Sequence, residues 1–199
     1  MRDRDLVRLY WPADLRPAFD ALLDIDEAMG EVVSRSTQPA LAAIKLAWWR
    51  ERLGELDQGK VPAEPRLQAA AKQLLSRGLK GSDLAKLEDG WAALVDVRPD
   101  PTRIGRRGEA LFELGAQLLG AEFNDDVARG GRLFASVDVA RRGLAQFASE
   151  ECDLSRTTID RPLRPLTALA ALAARGPLEA EATPGRAWAL LRHRFTGRI

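Results

Sequence analysis

Along most of the chain, apolar residues recur every three or four positions, the spacing of an α-helix with one buried face. Leu15, Phe19, Leu22, Leu23, Met29 and Val33 predict a helix over residues 13–33. Thr37 and Pro39 supply a start signal for the next, on which Leu41, Ile44 and Trp48 form one face with Trp49, Leu53 and Leu56 beside it; Gly54 weakens its end. Gly59, Pro62 and Pro65 mark a loop over 57–65, and residues 66–77 read as a helix closed by Gly78. Ser82 caps a further helix with Leu84, Leu87, Trp91, Leu94 and Val95 facing inward, broken by Pro99 and Pro101. Residues 102–121 are helical, carrying Ile104, Leu111, Phe112, Leu114, Leu118 and Leu119. The next helix starts at Asn124 or Asp125 and runs to about Ala148, before a polar stretch from Cys152 to Arg161. Helices over 163–174 and 184–195 follow, the second announced by the Thr183 cap and Pro184 in its first turn. No segment sustains a two-residue alternation of β-branched residues, so no sheet is expected. The expectation is an all-α, single-domain bundle of about eight helices around one core.

The totals agree with one folded domain. Of 199 residues, 46% are hydrophobic and 30% charged, enough apolar surface for a core. Thirty basic and 29 acidic side chains leave a net charge of +1, which gives no global attraction to nucleic acid or anionic lipid and leaves only a local basic patch open. Cys152 is the sole cysteine, so no internal disulfide forms. The charged start Met1-Arg2-Asp3-Arg4-Asp5 has no apolar stretch behind it, and no run approaches the roughly 18 to 20 apolar residues that span a bilayer. The reading is a cytoplasmic protein without a transmembrane segment, with peripheral membrane contact left open.

The segment from Arg16 to Leu53, with Arg16-Pro17-Ala18 at the start of one helix and Lys45-Leu46 before Trp48-Trp49-Arg50 on the next, resembles the N-terminal helices of the squalene/phytoene synthase family. Residues 108–112 and 118–120 resemble a middle segment of divergent bacterial members, and residues 186–198 resemble their C-termini; the chain looks shorter than a typical catalytic member. The resemblance implies an isoprenoid synthase type of helical fold, shortened. It also implies a chemistry: family enzymes condense two prenyl diphosphates head to head, using two aspartate-rich motifs that face each other and hold magnesium on the diphosphate.

Those motifs are eroded here. The first falls near residues 30–34, where only Glu31 is acidic; Asp24, Asp26 and Glu27 lie a turn or more earlier, and Asp20, Asp24 and Glu27 can share one face. The second aligns in two ways. Either Glu122, Asp125 and Asp126 stand in it, or the helix over 131–142 covers it with Asp138 as its single acid. The plainer roles are a solvated helix face for the first group and a cap with dipole-favoured acids for Asn124-Asp125-Asp126.

Other candidates carry ordinary structural readings. Trp48 and Trp49 point about 100° apart on a helix, so at most one faces a cavity. His193, the single histidine, lacks neighbouring metal ligands and sits in a basic tail with Arg186, Arg192, Arg194 and Arg198. Glu150 and Glu151 beside Cys152 disfavour a reactive thiolate. Gly130-Gly131 is not a phosphate loop, because no strand precedes it and no Gly-Lys-Ser/Thr follows.

Two functions follow. The first is a non-catalytic protein acting in binding or assembly, with no catalytic residue and no cofactor, whose partner is a protein or an isoprenoid-like lipid and not a nucleic acid. The family includes a branch linked to assembly of respiratory complex I whose aspartate motifs are also eroded, and this chain looks closest to that branch. The alternative is an active prenyltransferase with a displaced magnesium site. It would use Asp24, Glu27, Glu31, Asp125 and Asp126 as metal ligands and Lys45, Trp48 and Arg50 against substrate. A plain scaffold with a filled interior is the third reading.

Overall fold

The fold comes from a computed structural model that describes residues 3–145, 154 and 157–199. Its elements are α1 (Asp3–Arg8), α2 (Arg16–Arg35), α3 (Pro39–Leu56), α4 (Pro65–Gln73), α5 (Gly81–Leu84), α6 (Leu87–Ala92), α7 (Pro101–Leu118), α8 (Asp125–Arg141), α9 (Arg164–Ala173) and α10 (Pro184–Thr196). The protein is all-α; among the described residues the one extended pairing is an isolated bridge between Thr158 and Arg198. No described helix is long and apolar enough to cross a membrane.

Local chemistry explains most boundaries. Five of the long helices, α2, α3, α7, α9 and α10, have proline in the first turn, where a missing N–H costs nothing. Asn124 Oδ1 accepts from Val127 N at 3.1 Å and Thr183 Oγ1 from Arg186 N at 3.3 Å, satisfying first-turn donors of α8 and α10. Gly78, at φ +89°, closes the 3₁₀ turn Leu75–Arg77 that follows α4.

Four features differ from the sequence reading. Residues 66–77 do not form one helix, since α4 gives way to the 3₁₀ turn. Residues 82–95 form the short α5 and α6, and the first donors of α5 are capped from a distance: Asp57 accepts from Gly81 N at 2.6 Å and Ser82 N at 2.9 Å. Ser82 is therefore capped and does not cap. Gly54 does not weaken α3, which runs to Leu56. Finally, α8 stops at Arg141, where Gly143 adopts φ +68° and Leu144 N bonds back to Val139 O, so a helix continuing to about Ala148 is excluded at Gly143. Cys152 and the acids before it lie outside the described residues.

The core is one cluster running through α2, α3, α6, α7, α8 and α9, with Trp11, Phe19, Met29, Leu46, Leu53, Trp91 and Phe112 fully enclosed. Its most extensive helix pair is α7 with α8. Gly108 on α7 and Gly131 on α8 touch backbone to backbone there: a Cβ on Gly108 would lie 1.9 Å from Gly131 O, and one on Gly131 would lie 2.4 Å from Gly108 O. Gly131 thus serves a helix crossing. Of the tryptophan pair, Trp49 packs in the core and Trp48 is 40% exposed, the two rings meeting edge to face at 5.3 Å.

Candidate functional site

Four elements bring charged side chains together at the centre of the bundle. α2 contributes Asp26 and Glu27, α6 contributes Trp91, α7 contributes Arg107, and α8 with its C-cap contributes Asp138 and Arg142. Asp26 is 4% exposed and Arg107 is 1% exposed. The Asp26 carboxylate accepts from Trp91 Nε1 at 2.9 Å and from Arg107 Nη1 at 3.2 Å to both oxygens. Arg107 Nη2 donates to Asp138 Oδ2 at 3.0 Å, and its guanidinium carbon stands 3.9 Å from the centre of the Trp91 ring, a cation–π contact in a desolvated setting. Arg142 completes the chain: Nε donates to Asp138 Oδ1 at 3.0 Å, while Nη1 and Nη2 fork onto Glu27 at 3.1 and 2.6 Å.

The network is therefore Glu27–Arg142–Asp138–Arg107–Asp26, alternating in sign. Burial pushes the Asp26 carboxyl above the ordinary carboxylate value, with the Arg107 charge working against that rise and Asp138 adding to it. Burial also opposes the charge of Arg142, but Glu27 and Asp138 more than offset it and hold the guanidinium protonated. Room for this packing comes from Gly30 on α2, where a Cβ would come within 2.9 Å of both the Trp91 ring and Arg142 Nη1.

An open cleft of about 370 Å³ borders the network, with Asp26, Glu27, Asp138 and Arg142 in its lining and Leu23, Phe134, Leu169 and Leu172 as apolar wall. At its other side Asp3 accepts from Arg186 Nη2, at an N–O separation of 2.6 Å, and from Arg141 Nη1 at 3.1 Å. Phe134 stacks at 5.8 Å on Phe112, so the wall is anchored in the core.

The residues expected to carry a displaced magnesium site are dispersed. Asp24 pairs with Arg4 at 2.7 Å, and Asp20 of the same face pairs with Arg8 at 2.7 Å. Glu31 pairs with Arg66 and Arg35, Glu27 with Arg142, and Asp126 with Arg129 one turn on. Asp125 lies in the first turn of α8. No group of three or more acids, histidines or cysteines able to hold a metal occurs among the described residues. Arginines thus take carboxylate oxygens of Asp24, Glu27, Glu31 and Asp126, and the five acids form no metal-holding group among the described residues. The stripe Asp20–Asp24–Glu27 is likewise a row of ion pairs and not a bare solvated face. Lys45, Trp48 and Arg50, the expected substrate residues, lie on the outward side of α3, and Arg50 pairs with the buried Glu88 at 3.4 Å.

Arg107 escaped the sequence reading, yet a signal was present. It stands at i+3 from Ile104 and i−4 from Leu111, inside the apolar stripe of α7. Asp26 likewise stands at i+7 from Phe19, i+4 from Leu22 and i−3 from Met29 on the stripe of α2. One acid and one base at core positions of two helices predict a buried pair.

The basic tail is corrected too: Arg186 and His193 face inward, and only Arg192, Arg194 and Arg198 remain on the surface. His193 joins α9 to α10. Its Nδ1 lies 3.0 Å from Arg198 O, which only accepts, so Nδ1 carries a proton, while Nε2 lies 2.9 Å from the Thr167 hydroxyl, which itself donates to Leu163 O at 3.1 Å. Burial pushes its pKa below the ordinary 6.5 and the Arg164 charge adds to this, against backbone hydrogen bonds that favour the charged form. Below that pH the unfolded chain binds a proton that the folded chain resists, so stability falls as pH drops from neutral through 6.5. Urea unfolding near neutral pH and at about 5.5 should show this loss, and His193→Gln should be less stable at neutral pH but lose less on acidification. Equal acid sensitivity in both proteins would refute the assignment.

No family model, curated protein or solved structure matches the chain.

Proposed function

We propose that this protein is a non-catalytic member of the squalene/phytoene synthase type that acts in binding or assembly, as in the family branch linked to complex I assembly. The observation that carries the reading is the arginine bridging. Asp26 and Glu27 on α2 stand across from Asp138 on α8, and Arg107 and Arg142 lie between them. Three carboxylates and two guanidiniums leave a local charge of about −1, and the donors of both arginines point at the oxygens that magnesium would take. A second cation brought to those oxygens would meet two fixed positive charges in a low-dielectric site. The residues present therefore do not fit a magnesium–diphosphate pair, and they support no step of prenyl transfer.

The cleft favours a ligand-binding role over a plain filled scaffold. Its volume of about 370 Å³ falls at the small end of ligand sites, and an apolar wall beside a charged edge suits an isoprenoid-like amphiphile. The test is pyrophosphate release from farnesyl or geranylgeranyl diphosphate with magnesium. No release above buffer is expected. Turnover abolished by Asp125→Ala would overturn the reading in favour of an active prenyltransferase. Mass spectrometry of lipids and proteins co-purifying with the full chain then identifies what is bound.

A further inference from the structure

The helix α10 is two-sided in a way that the core does not require. Arg186, Leu190 and His193 form its buried face. At about 100° per residue, Trp188, Leu191 and Phe195 fall on the opposite face in one stripe. They are 68%, 42% and 76% exposed. Single exposed apolar residues are commonplace, but two aromatics and a leucine in register along one helix form a contiguous ridge. Arg192 flanks the ridge on one side and Arg194 on the other, both exposed. From Ala182 to Ile199 the sequence holds four arginines and no acidic residue, within a chain whose net charge is only +1.

Arg4, Arg8, Arg103, Arg107, Arg141 and Arg142 each meet a carboxylate. Arg161, Arg164, Arg192, Arg194 and Arg198 are absent from the ion pairs found among the described residues. Arg16, Arg77, Arg98 and Arg106 elsewhere also stay out of the ion pairs, but at this end several such arginines gather around one pocket. Three of them, Arg161, Arg164 and Arg194, line this pocket of about 420 Å³ against the ridge residue Phe195, with no carboxylate in its lining. Arg164 holds the pocket's shape by donating to Ile159 O at 3.0 Å, Arg194 O at 2.9 Å and Phe195 O at 3.1 Å. Arg194 lies 5.0 Å over the Tyr10 ring.

We infer that this face docks on an anionic phospholipid surface, with Trp188, Leu191 and Phe195 entering the interface and the arginines meeting lipid phosphates. Charge complementarity selects the occupant: an aromatic and aliphatic ridge between cations, beside an arginine-lined pocket with no carboxylate in its lining, matches a negatively charged headgroup layer over acyl chains. The inference is independent of whether the central cleft binds anything. The full chain should pellet with vesicles of phosphatidylcholine plus phosphatidylglycerol and not with phosphatidylcholine alone. Salt at about 0.5 M should release it, since the attraction is screened within a few ångströms. Trp188→Ser with Phe195→Ser, and separately Arg192→Gln with Arg194→Gln, should each weaken binding roughly tenfold or more without changing the circular dichroism melt. Equal pelleting with both vesicle types, none with either, or indifference to both double variants overturns the proposal. So does stabilisation by inorganic phosphate without vesicle binding, which assigns the pocket to a free anion. A dimer dispersed by Trp188→Ser and Phe195→Ser in a chain that ignores vesicles also overturns it, assigning the ridge to a second copy.

Discussion

Asp26→Ala is expected to destabilise the protein by about 3 to 5 kcal/mol, the range seen when one partner of a buried ion pair is removed. The wild-type carboxylate faces Arg107 at 3.2 Å and Trp91 at 2.9 Å and is itself only 4% exposed. Removing it strands a guanidinium at 1% exposure with only Asp138 left as a charged partner, and it leaves the indole N–H unpaired. Arg107→Ala should cost a similar amount by stranding Asp26. The double variant Asp26→Leu with Arg107→Leu should recover most of the loss, because desolvation of both charges is then avoided and Asp138 keeps Arg142. Urea unfolding of the wild type, Asp26→Leu, Arg107→Leu and the double variant closes a double-mutant cycle. A single-variant loss below about 1 kcal/mol would show that water reaches the pair, and the arginine-bridged centre would then lose its claim to exclude a metal.

Gly108→Ala should be nearly as damaging, at about 3 kcal/mol. On propensity alone the change should help, since alanine gains roughly 1 kcal/mol over glycine inside a helix. The new methyl would meet the Gly131 carbonyl at 1.9 Å, and that obstacle is backbone, so no rotamer change relieves it. α7 and α8 would have to separate along their whole crossing, which also carries Arg107 and Asp138. Gly54→Ala is the control: it too lies inside a helix, with nothing within 4 Å of the added methyl, and it should be neutral or stabilising by up to about 1 kcal/mol. Thermal melts of the two variants should move in opposite directions. A melt of Gly108→Ala at or above that of the wild type would mean the helices do not approach so closely.

Much of the helical plan can be read from local order alone. The stripe on α2, the cap at Asn124, Thr183 before Pro184 and the left-handed Gly78 are interactions within a few residues, so the sequence carries them directly. The same locality explains the misreadings. Ser82 looks like a cap until Asp57, 25 residues away, supplies the carboxylate. The helix that starts at Asn124 or Asp125 continues on paper to about Ala148, whereas Gly143 ends it after Arg141.

The charged residues divide along the same line. That Asp26 and Arg107 occupy core positions is written in the three- and four-residue spacing around each, and that the chain has a matching excess of neither sign is written in its composition. Which arginine meets which acid is not, because the partners are 81 residues apart for Asp26 and Arg107 and 115 apart for Glu27 and Arg142. A helix period fixes the face a side chain takes, but only the packing of α2, α6, α7 and α8, set by close approach at Gly30 and Gly108, decides what that face meets. For the same reason Arg186 and Arg192 read alike in sequence, while the tertiary structure buries the first beside Asp3 and leaves the second on an open ridge.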